Sequence, residues 1–396
     1  MSTLSALTTQ LAALETAHLY RRRRVQDAPA QPHGNSDGRA VLNFCSNDYL
    51  GLANHPDLIA ALQLGAARWG VGSGAAHLVS GHTSAHHALE TELAAFTGYE
   101  RALLFSTGYM ANLGILTALT QRGDRIAADR LNHASLLDGA QLAQATLRRY
   151  PHADLTILRQ RLLTEPPPRL IATDGVFSMD GDLAPLPALM ELAQDAGAWV
   201  VIDDAHALGV VGTGGRGSLA QFGMRPAATT ILMGTLGKAF GTFGAFVAGA
   251  DAVIETLIQR ARSYIYTTAM PPALAEATRV SLRLAMQEDW RREQLRALIA
   301  QFRHGATQLG LPLADSVTPI QPLLVGSSEL ALAWSQALEQ AGIFVSAIRP
   351  PTVPVGTARL RITLSAAHSP ADVNRLLEVL GAQFAQRHRE GAAPEK

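Results

Sequence analysis

The stretch TTILMGTLGKAFGTFGAFVAG, residues 229–249, holds two short apolar runs bounded by glycines around one charged residue, Lys238. Runs of this length and composition read as buried strands. Working outward, the same signal recurs in RALLFSTG (101–108), DRIAAD (124–129), RLIATDGVF (169–177) and AWVVIDDAH (198–206). Between these runs, ANLGILTALTQ (111–121) and PLPALMELAQDAG (185–197) read as helices. The alternation predicts an α/β fold with a mostly parallel central sheet and helices on both faces. Further on, the charged helical pattern 288–309 precedes PIQPLLVG (319–326), IFVSAIRPP (343–351) and ARLRITLS (358–365), then a last helix over 371–386. The predicted organisation is an N-terminal helix and strand segment (1–45), a large α/β domain (46–285) and a smaller C-terminal α+β domain (286–396), with a frayed tail from His388.

Bulk properties narrow the function. The 396 residues carry 33 basic and 33 acidic side chains, so no global field recruits nucleic acid or an anionic membrane. A small-molecule partner is expected instead. The single cysteine, Cys45, cannot close an internal disulfide, which fits a reducing compartment. Leucines at 4, 7, 11 and 14 have helical spacing and are followed by Arg21 to Arg24, the reverse of a secretory signal. No run is long enough for a membrane span. A cytoplasmic enzyme is the expectation, with the four arginines read as a solvated face from which one, Arg21, could serve an anionic substrate.

Lys238 is the sole Asp, Glu, Lys or Arg between Pro226 and Ala250. An ammonium left unpaired in a dry site tends to become neutral, and a neutral amine is a nucleophile. In an open parallel sheet, ligands bind beyond the carboxyl ends of the strands. There, Thr107, Gly108 and Tyr109 open a helix after a strand, a turn suited to phosphate. Asp203 and His206 follow another strand, with no further histidine or cysteine nearby in sequence to serve as a third metal ligand. His82 and His86, at i and i+4, read as surface or hydrogen-bonded helix residues without a second motif, so no metal is expected. GVGSG (70–74) follows a helical pattern rather than a strand, and TLGKA lacks the Ser or Thr after its lysine, so neither is a nucleotide loop. A nucleophilic lysine, a strand-end carboxylate and a phosphate turn together meet the needs of pyridoxal 5'-phosphate (PLP). The lysine forms a Schiff base with its aldehyde, the carboxylate keeps its pyridine protonated, and the turn holds its phosphate.

Six motifs, in order, carry a resemblance: LNFCSNDYLGL (42–52), TDGVFSMDGDLAPL (173–186), VIDDAHALGVVG (201–212), GTLGKAFG (234–241), YIYTTAMPP (264–272) and RPPTVPVGTARLRITLSAAH (349–368). Through them the chain resembles the α-oxoamine synthases, fold-type-I PLP-dependent transferases. The resemblance implies that Lys238 carries the cofactor and that Asp203 contacts its ring nitrogen. It implies further that His206 and Ser178 bind its phenolic oxygen and that His133 stacks on the ring. Gly108, Tyr109 and Thr235 would surround the phosphate, with Thr268, or else Thr267, reaching in from the second subunit of a homodimer. Arg361 would grip the amino-acid carboxylate, and Arg21, Arg349 and Thr352 would position substrate. Arg359 and Arg361 alternate with Leu360 and Ile362, so both are expected on a polar face where either could be merely solvated. Arg361 is preferred on the resemblance alone. His77 stands where glycine-using relatives have arginine, and AIRPPTVP (347–354) resembles the branch that condenses L-alanine with a pimeloyl thioester of coenzyme A or an acyl carrier protein. The alternative is the branch that uses glycine and acetyl-coenzyme A.

Overall fold

The computed structural model describes residues 3–391, with side chains through 385. The chain forms two compact units: Leu50–Ser178 with Asp182–Arg292, and Met1–Tyr49 with Met179–Gly181 and Glu293–Lys396.

The larger unit is built on a seven-stranded sheet in the order 101–105, 245–249, 230–235, 199–203, 170–174, 125–129, 146–150. All neighbouring pairs are parallel except those made by Ala245–Gly249, which is antiparallel to both its neighbours. The reason lies in the connection: 236–244 is shorter than the dozen or so residues a parallel crossover needs, so the chain must turn back. Alternate side chains on both faces are buried, Val201 and Ile231 on one and Ile202 and Leu232 on the other. One face packs with Ile115, Leu136 and Ile254 of the helices Gly108–Leu119, Ala134–Leu142 and Asp251–Arg260. Burial on both faces is what the expected α/β fold requires, and apolar runs without strict alternation are its sequence consequence. The edge strand Thr146–Tyr150 lacks an apolar run. Three of its five residues are exposed, and its TLRRY sequence gives no strand signal.

Registers bring the strand ends into line. Asp174 pairs across from Asp203, and Asp203 across from Met233. Polar groups at the carboxyl ends of the parallel strands thus gather on one rim, while the bodies of the inner strands are dry.

The smaller unit contains an antiparallel sheet in the order 320–326, 358–363, 346–348, and a hairpin of His33–Ser36 with Arg39–Asn43 whose second strand pairs in parallel with Ile343–Phe344. Gly181 fastens the 179–181 segment here. Its φ is +75°, and a Cβ would stand 2.5 Å from the Ile320 carbonyl oxygen, so the close approach requires glycine. The strand Ala358–Thr363 is buried along its whole length, which corrects the expectation of a solvated polar face for Arg359 and Arg361. Both guanidiniums are enclosed and hydrogen-bonded, as buried charges must be. At the N-terminus, Thr3–Thr16 is helical with no buried residue, and Leu4, Leu7, Leu11 and Leu14 are exposed. The last helix, Pro370–Gly391, takes in the first residues of the stretch expected to fray, and the remainder lies outside the described residues. Among the described residues no helix is long and apolar enough to cross a membrane.

Candidate active site

The rim of the large sheet carries Lys238, Asp203 and Thr235, three of the residues the sequence singled out. Lys238 sits in the return loop between Thr230–Thr235 and Ala245–Gly249. Hydrogen bonds from Leu236 N to Gly244 O (2.9 Å), Thr242 N to Leu236 O (2.9 Å) and Gly241 N to Lys238 O (2.8 Å) close that loop. Gly241, at φ +63°, lets the loop lie against the backbone of Leu52 and Ala53, where a Cβ would be 2.4 Å from the Ala53 nitrogen. The loop therefore holds its lysine in one place. The Lys238 Nζ lies 2.9 Å from His206 Nε2, so the two groups the sequence linked only through the resemblance are in direct contact.

Asp203 ends the next strand and is buried. Its Oδ2 accepts from Asn112 Nδ2 at 2.7 Å and its Oδ1 from Ala205 N at 3.1 Å, which aims the carboxylate without neutralising it. Asn112 also donates to Ser135 Oγ at 2.8 Å. Asn112 was missed by the sequence reading, although a fully buried amide within the apolar helix GYMANLGILTAL is a legible anomaly. Asp174, the neighbour of Asp203 in register, was missed too. Burial, with the nearby Asp203 charge adding to it, holds its carboxyl well above the usual carboxylate range. Its Oδ1 accepts from His133 N at 3.0 Å, so Asp174 fixes the start of the helix Ala134–Leu142 and with it His133. His133 caps that helix through its ring, Nδ1 accepting from Ser135 N at 3.3 Å with Ser135 Oγ 2.7 Å away, and lies edge-on to Tyr109 at 6.4 Å.

Thr107 caps the helix Gly108–Leu119, its hydroxyl accepting from Met110 N at 3.2 Å. The first-turn amides of Gly108 and Tyr109 thus form the positive end of a helix, and Tyr109 donates to Asp138. Thr235 ends its strand with its hydroxyl donating to Gly244 O at 3.2 Å. Ser178 is half-buried within the same unit. Thr267 donates to Ser263 O at 2.8 Å and is satisfied inside the chain, whereas Thr268 is exposed. Of the two threonines, Thr268 is the one placed to face outward.

The smaller unit holds the substrate-positioning candidates. Arg21 donates to Thr352 Oγ1 at 3.4 Å, and Arg349 donates to the carbonyls of His18 and Tyr20. They line an open cleft of about 860 Å³ together with Arg23. The four consecutive arginines separate by partner: Arg22 pairs with Glu15, and Arg24 with Asp37 and Glu339. Arg359 is committed to Asp180, with Nη1 2.5 Å from Oδ1, and to the Met179 carbonyl at 3.1 Å. Arg361 donates to the neutral Asn47 side-chain oxygen at 3.2 Å and lies beside Tyr49. The Asp180 contact, absent from any sequence pattern, separates the two arginines.

An amine, a buried carboxylate and a helix N-terminus on one sheet rim are the donor set that PLP requires, so the residues present fit that cofactor. The sequence profile of the family described as "Aminotransferase class I and II" matches residues 39–380. The chain belongs to that family. This aminotransferase-family chain is 61% identical over 372 residues to an 8-amino-7-oxononanoate synthase of Nitrosococcus oceani, covering 94% of this chain and 99% of that one. A serine palmitoyltransferase from S. paucimobilis, solved with a bound PLP–myriocin aldimine, superposes with a TM-score of 0.90 at 30% identity, covering 96% and 98% of the two chains. An 8-amino-7-oxononanoate synthase structure from Francisella tularensis gives a TM-score of 0.77 at 33% identity over 88% and 99%. Within the family, the six motifs and these neighbours place the chain among the α-oxoamine synthases.

Proposed function

We propose that this chain catalyses the PLP-dependent condensation of L-alanine with a pimeloyl thioester, giving 8-amino-7-oxononanoate, carbon dioxide and the free thiol, a step of biotin biosynthesis. The observation that carries the substrate assignment is 61% identity running through almost the full length of both chains to a relative of that name.

PLP, when bound, supplies an aldehyde for covalent attachment and a protonated ring that takes up the electrons freed at the substrate α-carbon. The chain supplies the rest. Lys238 offers the attaching amine and, once released, moves the α-proton. The contact with His206 Nε2 at 2.9 Å orients it. Asp203 holds a proton on the ring nitrogen, and Asn112 and Ala205 keep its carboxylate aimed. His206 and Ser178 serve the phenolic oxygen, and His133 covers the ring. Gly108, Tyr109 and Thr235 take the phosphate, for which a helix N-terminus is well suited. Arg361 takes the alanine carboxylate, a task for a planar guanidinium fork, whereas Arg359 on the same strand is held by Asp180. Arg21, Arg349 and Thr352 position the acyl chain, whose far carboxylate suits a basic cleft.

We further propose a cytoplasmic homodimer. Exposed Thr268 and the leucine stripe of Thr3–Thr16 support the second subunit, which would cover both. The thiol carrier is coenzyme A or an acyl carrier protein.

The test is product analysis. Purified protein is given L-alanine with pimeloyl-coenzyme A or the pimeloyl carrier protein, and separately glycine with acetyl-coenzyme A. Carbon dioxide and the amino ketone should form with the alanine pairs and vanish in Lys238→Ala. Turnover confined to glycine and acetyl-coenzyme A would overturn the assignment in favour of the glycine-using branch.

A further inference from the structure

Four of the thirteen histidines fall between positions 77 and 87. The helix Ser84–Thr97 begins after His82, so His82 and His86 are not one helical pair as their spacing suggested. A short π turn, His77–Gly81, instead folds His77 back onto His82 and brings their Nδ1 atoms to 3.0 Å. One ring nitrogen of each of His77, His82 and His86 lies within 4.8 Å of the other two. Two imidazoles on one tetrahedral ion, each at about 2.0–2.1 Å, stand ~3.3 Å apart. The first pair is already near that spacing.

The surroundings prepare these rings as ligands. His86 Nε2 is 2.7 Å from the Met270 carbonyl oxygen, which can only accept. The proton therefore sits on Nε2 and the lone pair on Nδ1, the way an outer-shell carbonyl fixes a ligating histidine. The Thr83 amide donates to that Nδ1 at 3.0 Å and the Thr83 hydroxyl also lies 3.0 Å from it, and an ion would displace both. The His77 ring is stacked on Tyr264 at 5.2 Å and set edge-on to His86 at 5.0 Å, so its position does not depend on solvent. His82 is exposed and provides the way in. The neighbouring group His82, His87 and Glu90 also lies within 4.8 Å, but it has two exposed members and no buried one.

We propose that His77, His82 and His86 bind a divalent transition-metal ion of the zinc, nickel or copper class, with the remaining position open to water. An all-imidazole set selects these ions over magnesium or calcium. The site also has a structural reach. Ala76 bridges to Thr268, and Ala269 N donates to Ala75 O at 3.0 Å, so an ion on His77 would tether the segment that pairs with Thr268.

The test uses the tag-free, PLP-loaded protein. Calorimetric titration with Zn²⁺ should show one site per chain, and Co²⁺ should give the visible d–d bands of a tetrahedral nitrogen site. His77→Gln and His82→Gln should each weaken the site by at least the ~10–100-fold that loss of an outer-shell partner alone costs. His87→Gln should leave it unchanged. These variants spare His86, whose removal from the core could unfold the protein. Failure to bind Zn²⁺ stoichiometrically overturns the proposal, as does binding that survives His77→Gln but is lost in His87→Gln or Glu90→Gln.

Discussion

Changing Arg359 and Arg361 to alanine, one at a time, separates two side chains that look alike in sequence. Both are buried on one strand, but the Arg359 guanidinium is closed by Asp180 at 2.5 Å and by the Met179 carbonyl. Removing one partner of a buried ion pair costs about 3–5 kcal/mol. The Asp180 side chain is 28% exposed, and water can recover part of its solvation, which brings the cost of Arg359→Ala down to ~2–3 kcal/mol. For a chain of 396 residues that corresponds to a fall of roughly 3 °C in Tm. Arg361 donates to a neutral amide oxygen, and its proposed task is the alanine carboxylate. Losing a charge-assisted fork costs about 3 kcal/mol, or ~100-fold in kcat/KM for alanine at 1.36 kcal/mol per decade. Arg361→Lys retains the charge without the second arm and should recover roughly a tenth of the lost activity or better. The assay pairs alanine saturation curves with thermal unfolding for each variant. Arg359→Ala should move Tm with little change in the alanine KM, and Arg361→Ala should do the reverse. If Arg359→Ala raised the alanine requirement as far as Arg361→Ala does, the assignment drawn from the Asp180 contact would be wrong.

Two further perturbations probe the scaffold behind the site. Gly241→Ala places a Cβ 2.4 Å from the Ala53 nitrogen at φ +63°, so it should destabilise the protein by ~2 kcal/mol or more and loosen the Lys238 loop. Equilibrium dialysis against PLP together with chemical denaturation reads both effects, and retained affinity with unchanged stability would show that the loop can shift freely. His152 lies between Asp129 at 3.1 Å and Asp182 at 2.8 Å. Burial pulls its imidazole down, but hydrogen bonds to the two aspartates outweigh it and raise the pKa from 6.5 to about 10. Because the folded value lies above the unfolded one, this stabilisation is complete below pH 6.5 and is lost as pH rises toward about 10. Urea midpoints of the wild type and His152→Gln should therefore differ at pH 6 and converge near pH 10. A constant gap across that range would remove the protonated imidazole from the explanation.

What the sequence could and could not convey follows from which forces leave a local signature. Strands that are dry on both faces write themselves as apolar runs, so RALLF, LIATD, WVVID, TILMGT and AFVAG were all legible, together with the polar residues that end them. TLRRY was not, because an edge strand with exposed arginines needs no such run. Lys238 was legible because a lone charge in an apolar stretch demands a reason. Asp174 was inside a quoted motif yet silent, since its effect comes from lying in register with Asp203 on the neighbouring strand, a relation no spacing encodes. Period-two alternation placed Arg359 and Arg361 on one face correctly but implied water there. The pattern reports which side chains point together, not what covers them, and the cover came from Asp180 and Asn47, each far away in sequence. The histidines show the same limit in sharper form. His82 and His86 have a helical interval, but the backbone between them is half turn and half helix, and the ring that meets His82 most closely belongs to His77, across a π turn that no helical or strand period describes. Chemistry assembled by regular elements is therefore readable from periodicity, whereas chemistry assembled by irregular turns becomes visible only in three dimensions.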